Sequence, residues 1–99
     1  MGEAFPGESE LVWEEFHQIV NMTSDELRAV LTAEVSEGPR DLGAQVAEVL
    51  HKRKADLTGA DTEVMRQVVD FVEDRLEEDP ADKDGWRRSL MTVGHDPFR

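Results

Sequence analysis

The chain has no cysteine, which excludes a disulfide scaffold, a thiolate metal site and a cysteine nucleophile. No apolar run approaches the roughly 20 residues that span a bilayer. The first ten residues, MGEAFPGESE, are acidic and carry no signal-peptide pattern. These absences lead us to expect a soluble, cytoplasmic protein with no membrane partner. Apolar residues are also few, at 38% against roughly 45–50% in an ordinary globular domain. No segment alternates as a half-buried strand does. There is no Gly-x-Ser-x-Gly elbow and no glycine-rich phosphate loop, so the usual frames for acyl and phosphoryl transfer are missing.

What the chain has in excess is acid. Its 99 residues hold 23 acidic and 11 basic side chains, a net charge of −12. The length allows one small domain, and the charge with the thin apolar content sets it near the boundary with disorder. Nucleic acid and anionic membranes are repelled by such a chain at long range. The cations are unevenly spread, however. Residues 1–50 hold only Arg28 and Arg40 against eleven acids, and the other nine cations lie in 51–99.

Helical periodicity argues that the chain folds. Over 10–20, Val12, Trp13, Phe16, Ile19 and Val20 share one face, with Ser9 as the N-cap. Thr23-Ser24-Asp25-Glu26 fits a capping box, and Met22 and Leu27 are spaced as a hydrophobic staple. Leu27, Val30, Leu31 and Val35 would form the stripe of that second helix, joined to the first by a tight corner. Residues 36–41 read as a loop broken by Gly38-Pro39. A third helix is predicted over 42–54, with Leu42, Val46, Val49 and Leu50 inward. Thr58 would cap a fourth, with Asp61 three positions on. That helix runs to about Glu78 with Val64, Met65, Val68, Val69, Phe71, Val72 and Leu76 on a wide apolar face, which makes it the expected centre of the core. A fifth is predicted over 83–93, with Trp86, Leu90 and Val93 inward and Gly94 as its C′ residue. The expectation is an all-α fold: a single small domain of four to five helices around one core over residues 9–99, behind a flexible tail over 1–8.

Few constellations could carry chemistry. Glu14-x-x-His17 and Glu48-x-x-His51 have the spacing of di-iron ligands in a helix bundle. Each of these residues lies roughly 100° or more around its helix from the centre of the core stripe, whereas di-iron ligands must face inward. No metal or other cofactor is therefore expected. Ser89 reads as surface. His95-Asp96 could be a base and its orienter, but adjacent residues more often fix a turn. The reading is of a protein that is not an enzyme. The binding residues to consider are the run His51, Lys52, Arg53 and Lys54, with Arg87, Arg88 and His95. The run also has a purely structural explanation, since cations at a helix end complement its dipole. The third and fourth helices superficially resemble a helix-turn-helix. The first turn of the would-be recognition helix nevertheless carries Asp61 and Glu63, which would face phosphates and bases with the wrong charge. Trp13 and Trp86 are read as core packing, with an interface anchor as the alternative. The acidic stretch 70–84 is read as a solvated surface.

Taken together, several segments resemble a bacterial family, domain of unknown function 3140. They are Trp13, Phe16 and His17; Val20-Asn21-Met22-Thr23; Glu26-Leu27 with Leu31; Val49-Leu50; Lys52-Arg53-Lys54; Asp56-Leu57-Thr58; and Met65-Arg66-x-Val68-Val69. The most specific are Trp86-Arg87-x-Ser89-Leu90-Met91 and Gly94-His95-Asp96-Pro97. The resemblance implies no catalytic residues. Some members carry a DNA-binding label, which brings nucleic acid forward as a partner. Many have Trp at the position of Val30, and the loop before the third helix is shorter here than in some relatives. Two functional expectations result. The first is a small acidic, non-catalytic helical module acting by protein–protein binding or self-association. The alternative is a DNA-binding protein using the cations at 52–54 and 87–88, a reading that the net charge opposes.

Overall fold

The computed structural model describes residues 7–33 and 38–99. Among these residues five α-helices follow one another: α1 (Gly7–Ile19), α2 (Ser24–Thr32), α3 (Arg40–His51), α4 (Gly59–Leu76) and α5 (Lys83–Met91). A 3-10 turn (Lys54–Asp56) lies between α3 and α4. There is no strand among the described residues. The fold is all-α, as the periodicity predicts.

The centre of the molecule is α4, which packs against α1, α3 and α5, while α2 packs on α3. Its Met65, Val68 and Val72 are fully enclosed with Phe16 from α1, Leu27 from α2, Val46 from α3 and Leu90 from α5. Each comes from a stripe expected to face inward. Wholly burying one such side chain stabilises the fold by roughly 1.5–3 kcal/mol. That gain is what carries a chain with so little apolar content past the entropy of ordering.

The capping box predicted at Thr23 forms, and the cap predicted at Thr58 proves to be a second one. The Thr23 hydroxyl accepts the Glu26 N–H at 3.1 Å, and the Glu26 carboxylate accepts the Thr23 N–H at 2.9 Å. Thr58 and Asp61 repeat this at the start of α4, at 3.2 and 2.9 Å. Met22 and Leu27 are both buried, as a staple requires. At the end of α5 the Gly94 N–H reaches the Met91 carbonyl and the His95 N–H the Leu90 carbonyl. Gly94 has φ +95°. This is a Schellman closure with Gly94 at C′, as expected.

Several boundaries differ from the sequence reading. Ser9 is not an N-cap: α1 already begins at Gly7, and Ser9 is buried, accepting the Thr62 hydroxyl at 3.3 Å. Helix α3 ends at His51, not at residue 54, because Lys52 turns to extended backbone (ψ 150°). That turn lets its side chain reach Asp61 at the start of α4. Helix α4 stops at Leu76, and the Arg75 carbonyl left at its end accepts the Trp86 indole N–H at 2.8 Å. Leu76, expected inward, is exposed. Arg40, expected in the loop, opens α3, and its guanidinium donates to the Leu31 and Ala33 carbonyls at the end of α2. The tail expected over 1–8 lies outside the described residues as far as residue 6, as do Val35 and part of the loop expected over 36–41.

Candidate functional site

The basic run lies in the α3–α4 connection, and each of its lysines and arginines meets a carboxylate of the same chain. Lys52 donates to Asp61 at 2.8 Å, Arg53 to Asp56 at 2.9 Å, and Lys54 to Glu10 at 2.6 Å. Lys54 also stands 4.3 Å from the centroid of the Trp13 ring. His51 is exposed at the end of α3. The dipole argument is therefore only partly realised: Lys52 caps α3, while Arg53 and Lys54 belong to the turn beyond.

Asp61 holds this connection together. It is buried, and its carboxylate accepts from Lys52, from the Thr58 N–H and from the Thr58 hydroxyl. Burial pushes its pKa up, but those three donors outweigh it, and the group stays below the usual aspartate value. Asp56 is likewise held down, by Arg53. Lys52→Ala should lower stability by about 1 kcal/mol after allowing for the lysine's exposure. A thermal melt should show that as a fall of about 4–8 °C in Tm. An unchanged Tm would mean that the bond to Asp61 contributes nothing.

The second set lies elsewhere. Arg87 grips Asp96 with two bonds, at 3.2 and 3.1 Å, and covers the Phe98 ring at 4.7 Å. Arg88 is exposed, beside a cavity of about 210 Å³ that Val30, Ala33, Met91 and Thr92 also line. His95 and Asp96 do not form a dyad. The His95 Nδ1 lies 2.6 Å from the Ile19 carbonyl, while the Asp96 carboxylate faces Arg87 and the Phe98 N–H. Asn21 pairs with the Asp96 backbone at both ends: its Nδ2 donates to the Asp96 carbonyl and its Oδ1 accepts the Asp96 N–H, at 3.0 and 2.8 Å. Arg99 donates to the Asn21 carbonyl and to Glu26, whose pKa is held down to about 2, first by Arg99 and then by the Thr23 N–H. The Gly94-His95-Asp96-Pro97 segment thus ties the C-terminal residues to the α1–α2 corner.

The two cation sets are not brought together. Lys54 sits at Glu10 and Trp13, in the first half of α1, and the Arg87–Asp96 pair sits at Asn21, just past its end. At 1.5 Å per residue these places are roughly 12–16 Å apart along the helix.

The Glu-x-x-His pairs face solvent: Glu14, His17, Glu48 and His51 are all exposed. His17 stacks on Trp13 with ring centroids 4.3 Å apart, and Glu48 pairs with Arg28 at 3.7 Å. Among the described residues no group of three His, Cys, Asp or Glu could hold a metal ion. No described helix is long and apolar enough to cross a membrane.

Sequence reasoning missed Asn21 as a linker, Glu10 as the partner of Lys54, and a groove of about 380 Å³ between α2 and α3, lined by Arg28, Leu31, Ala44, Ala47 and Glu48 among others. The small residues on α3 were the one signal available for the groove. Nothing local signals the other two, because their partners are 75 and 44 residues away.

No curated protein matches this chain, and no solved structure does. One family model does, over residues 15–91. That span contains both basic segments and leaves out Trp13 and the Gly94-His95-Asp96-Pro97 segment. By that match the chain belongs to the family described as "Protein of unknown function (DUF3140)".

Proposed function

We propose that this chain is a small acidic helical module that acts by associating with protein, either another chain or its own copies, and that it performs no catalysis. One observation carries the reading: the chain spends its cations on itself. Lys52, Arg53, Lys54 and Arg87 are each within 3.2 Å of an internal carboxylate. A phosphate would have to displace that carboxylate before it could gain anything from counterion release. The acids are not matched in return. Residues 70–84 carry eight exposed carboxylates with only Arg75 and Lys83 among them. A surface of this kind repels nucleic acid and steers basic protein surfaces toward it.

The test is twofold. Fluorescence anisotropy with labelled duplex and single-stranded DNA should show no binding at micromolar protein, even at low salt where screening is least. Crosslinking in cells that produce the chain should join it to protein. Salt-sensitive micromolar binding to DNA that is lost in Lys52/Arg53/Lys54→Ala would overturn the proposal in favour of the nucleic-acid reading. A chain that crosslinks to nothing would overturn it outright.

A further inference from the structure

Helix α2 packs on α3, and α3 also packs on α4. The outer side of the α2–α3 pair carries the groove of about 380 Å³, with Leu31, Ala44 and Ala47 as apolar lining and Arg28 and Glu48 on opposite sides. Arg28, Ala44 and Glu48 are exposed. The two helices run antiparallel: Arg28 meets Glu48 across the groove at 3.7 Å, and the Leu31 side chain lies against Gly43.

Charge identifies what this face accepts. A chain of net charge −12 repels its own copies over most of its surface. The groove lining is different, with one cation and one anion at the same height along the helices. Such a face is self-complementary. Rotating a second copy by half a turn about an axis along the groove sets its α3 over α2 and its α2 over α3. Each Arg28 then stands opposite the partner's Glu48. Ala44 and Ala47 leave room for a facing helix, and the four helices make a bundle with Leu31 of both copies at its centre. The Arg28–Glu48 pair within one chain is exposed and loose, so exchanging it for a pair between chains costs little.

We infer that the α2–α3 face binds a second copy of this chain, two α2–α3 pairs forming a four-helix bundle. The inference rests on the reading that the protein works by association. Helices of 9 and 12 residues are only about 14 and 18 Å long. The face is therefore smaller than that of a standard interface, and the dimer has a dissociation constant on the order of 100 µM.

Sedimentation equilibrium from about 10 µM to about 1 mM, in salt near 0.15 M to screen the overall repulsion, tests this. The wild type should pass from monomer to dimer. Arg28→Glu and Glu48→Arg should each weaken the dimer by about tenfold or more, because like charges then face each other. An equimolar mixture of the two variants should regain it, since one chain is acidic at both positions and its partner basic at both. Ala44→Glu should abolish it. All three positions are exposed, and circular dichroism will verify that each variant folds. A wild type that stays monomeric at the highest concentration overturns the inference, and so does a mixture as monomeric as its components. If the monomeric chain still crosslinks to other proteins, the dimer alone is lost. If it crosslinks to nothing, the broader reading falls with it.

Discussion

Replacing Gly43 by alanine is expected to destabilise this protein strongly, although the change improves the local helix. In a helix interior alanine is favoured over glycine by roughly 1 kcal/mol, so a reading of α3 alone predicts stabilisation. The structure predicts the reverse. A Cβ at Gly43 would overlap the Thr92 backbone carbonyl oxygen and come within 2.9 Å of the Leu31 side chain. Side chains can step aside, but here the main obstacle is backbone at the end of α5, which is fixed by the Schellman closure at Gly94. Relieving the overlap means prising α3 away from α5, at a cost of about 3 kcal/mol or more. Small domains have only about 5–15 kcal/mol in total. The expected Tm is lower by at least about 12 °C. Gly59→Ala is the control. Nothing lies within 4 Å of a Cβ there, so that substitution should leave the protein as stable or raise it by up to about 1 kcal/mol. Paired thermal melts decide: if Gly43→Ala melts as high as the wild type, the close approach of α3 to Thr92 is wrong.

Gly43 marks where sequence reading stops. The helix caps at Thr23 and Thr58, the Gly94 closure and the inward stripes were legible because each depends on residues at most five apart, or on a helical period. Gly43 could not be read, because what excludes a side chain comes from Thr92, which is far off in sequence. Ser9 failed for the same reason. A serine before an apolar run has the form of an N-cap, but Thr62, across the α1–α4 contact, is what it serves. The early end of α3 accompanies the contact of Lys52 with Asp61, which the helical pattern does not contain.

The candidate binding residues show the same divide. Their types and positions were visible, but their partners were not. Lys54 and Glu10 are 44 residues apart, and Arg99 and Glu26 are 73 apart. Three of the paired cations also cover aromatic rings: Lys54 on Trp13, Arg75 on Phe71 and Arg87 on Phe98. In a chain where acids outnumber bases about two to one, cations used this way bind segments of the protein to each other. That use, more than the net charge, weakens the nucleic-acid reading, because net charge alone still permits a local basic patch.

The second large effect is expected at Asp96, and it depends on pH. Asp96 is buried and accepts two bonds from Arg87 and one from the Phe98 N–H. The Arg87 bonds hold its pKa below the usual aspartate value, against burial, with the Phe98 N–H helping. A carboxyl depressed on folding contributes stability that is complete above its unfolded pKa and lost as pH falls through its folded pKa. Asp96 therefore gives full support at pH 7 and begins to lose it below about pH 4. Glu26, held down to about 2, keeps its share until the pH falls through that value. Charge repulsion acts in the opposite sense over a higher range. Net charge −12 at pH 7 relaxes as pH approaches the isoelectric point of about 4.5, and that relief favours the compact state. Stability should thus rise from pH 7 to about pH 5 and fall steeply below pH 4. Asp96→Asn keeps the shape and removes the charge, and should cost about 2 kcal/mol at pH 7. Its Tm should lie about 8–16 °C below that of the wild type at pH 7, and the two curves should converge as the wild-type carboxyl is protonated. A constant offset at every pH would show that the Arg87–Asp96 charge pair is not what Asp96 contributes, and would leave its backbone pairing with Asn21 as the tie between the chain's C-terminal residues and the α1–α2 corner.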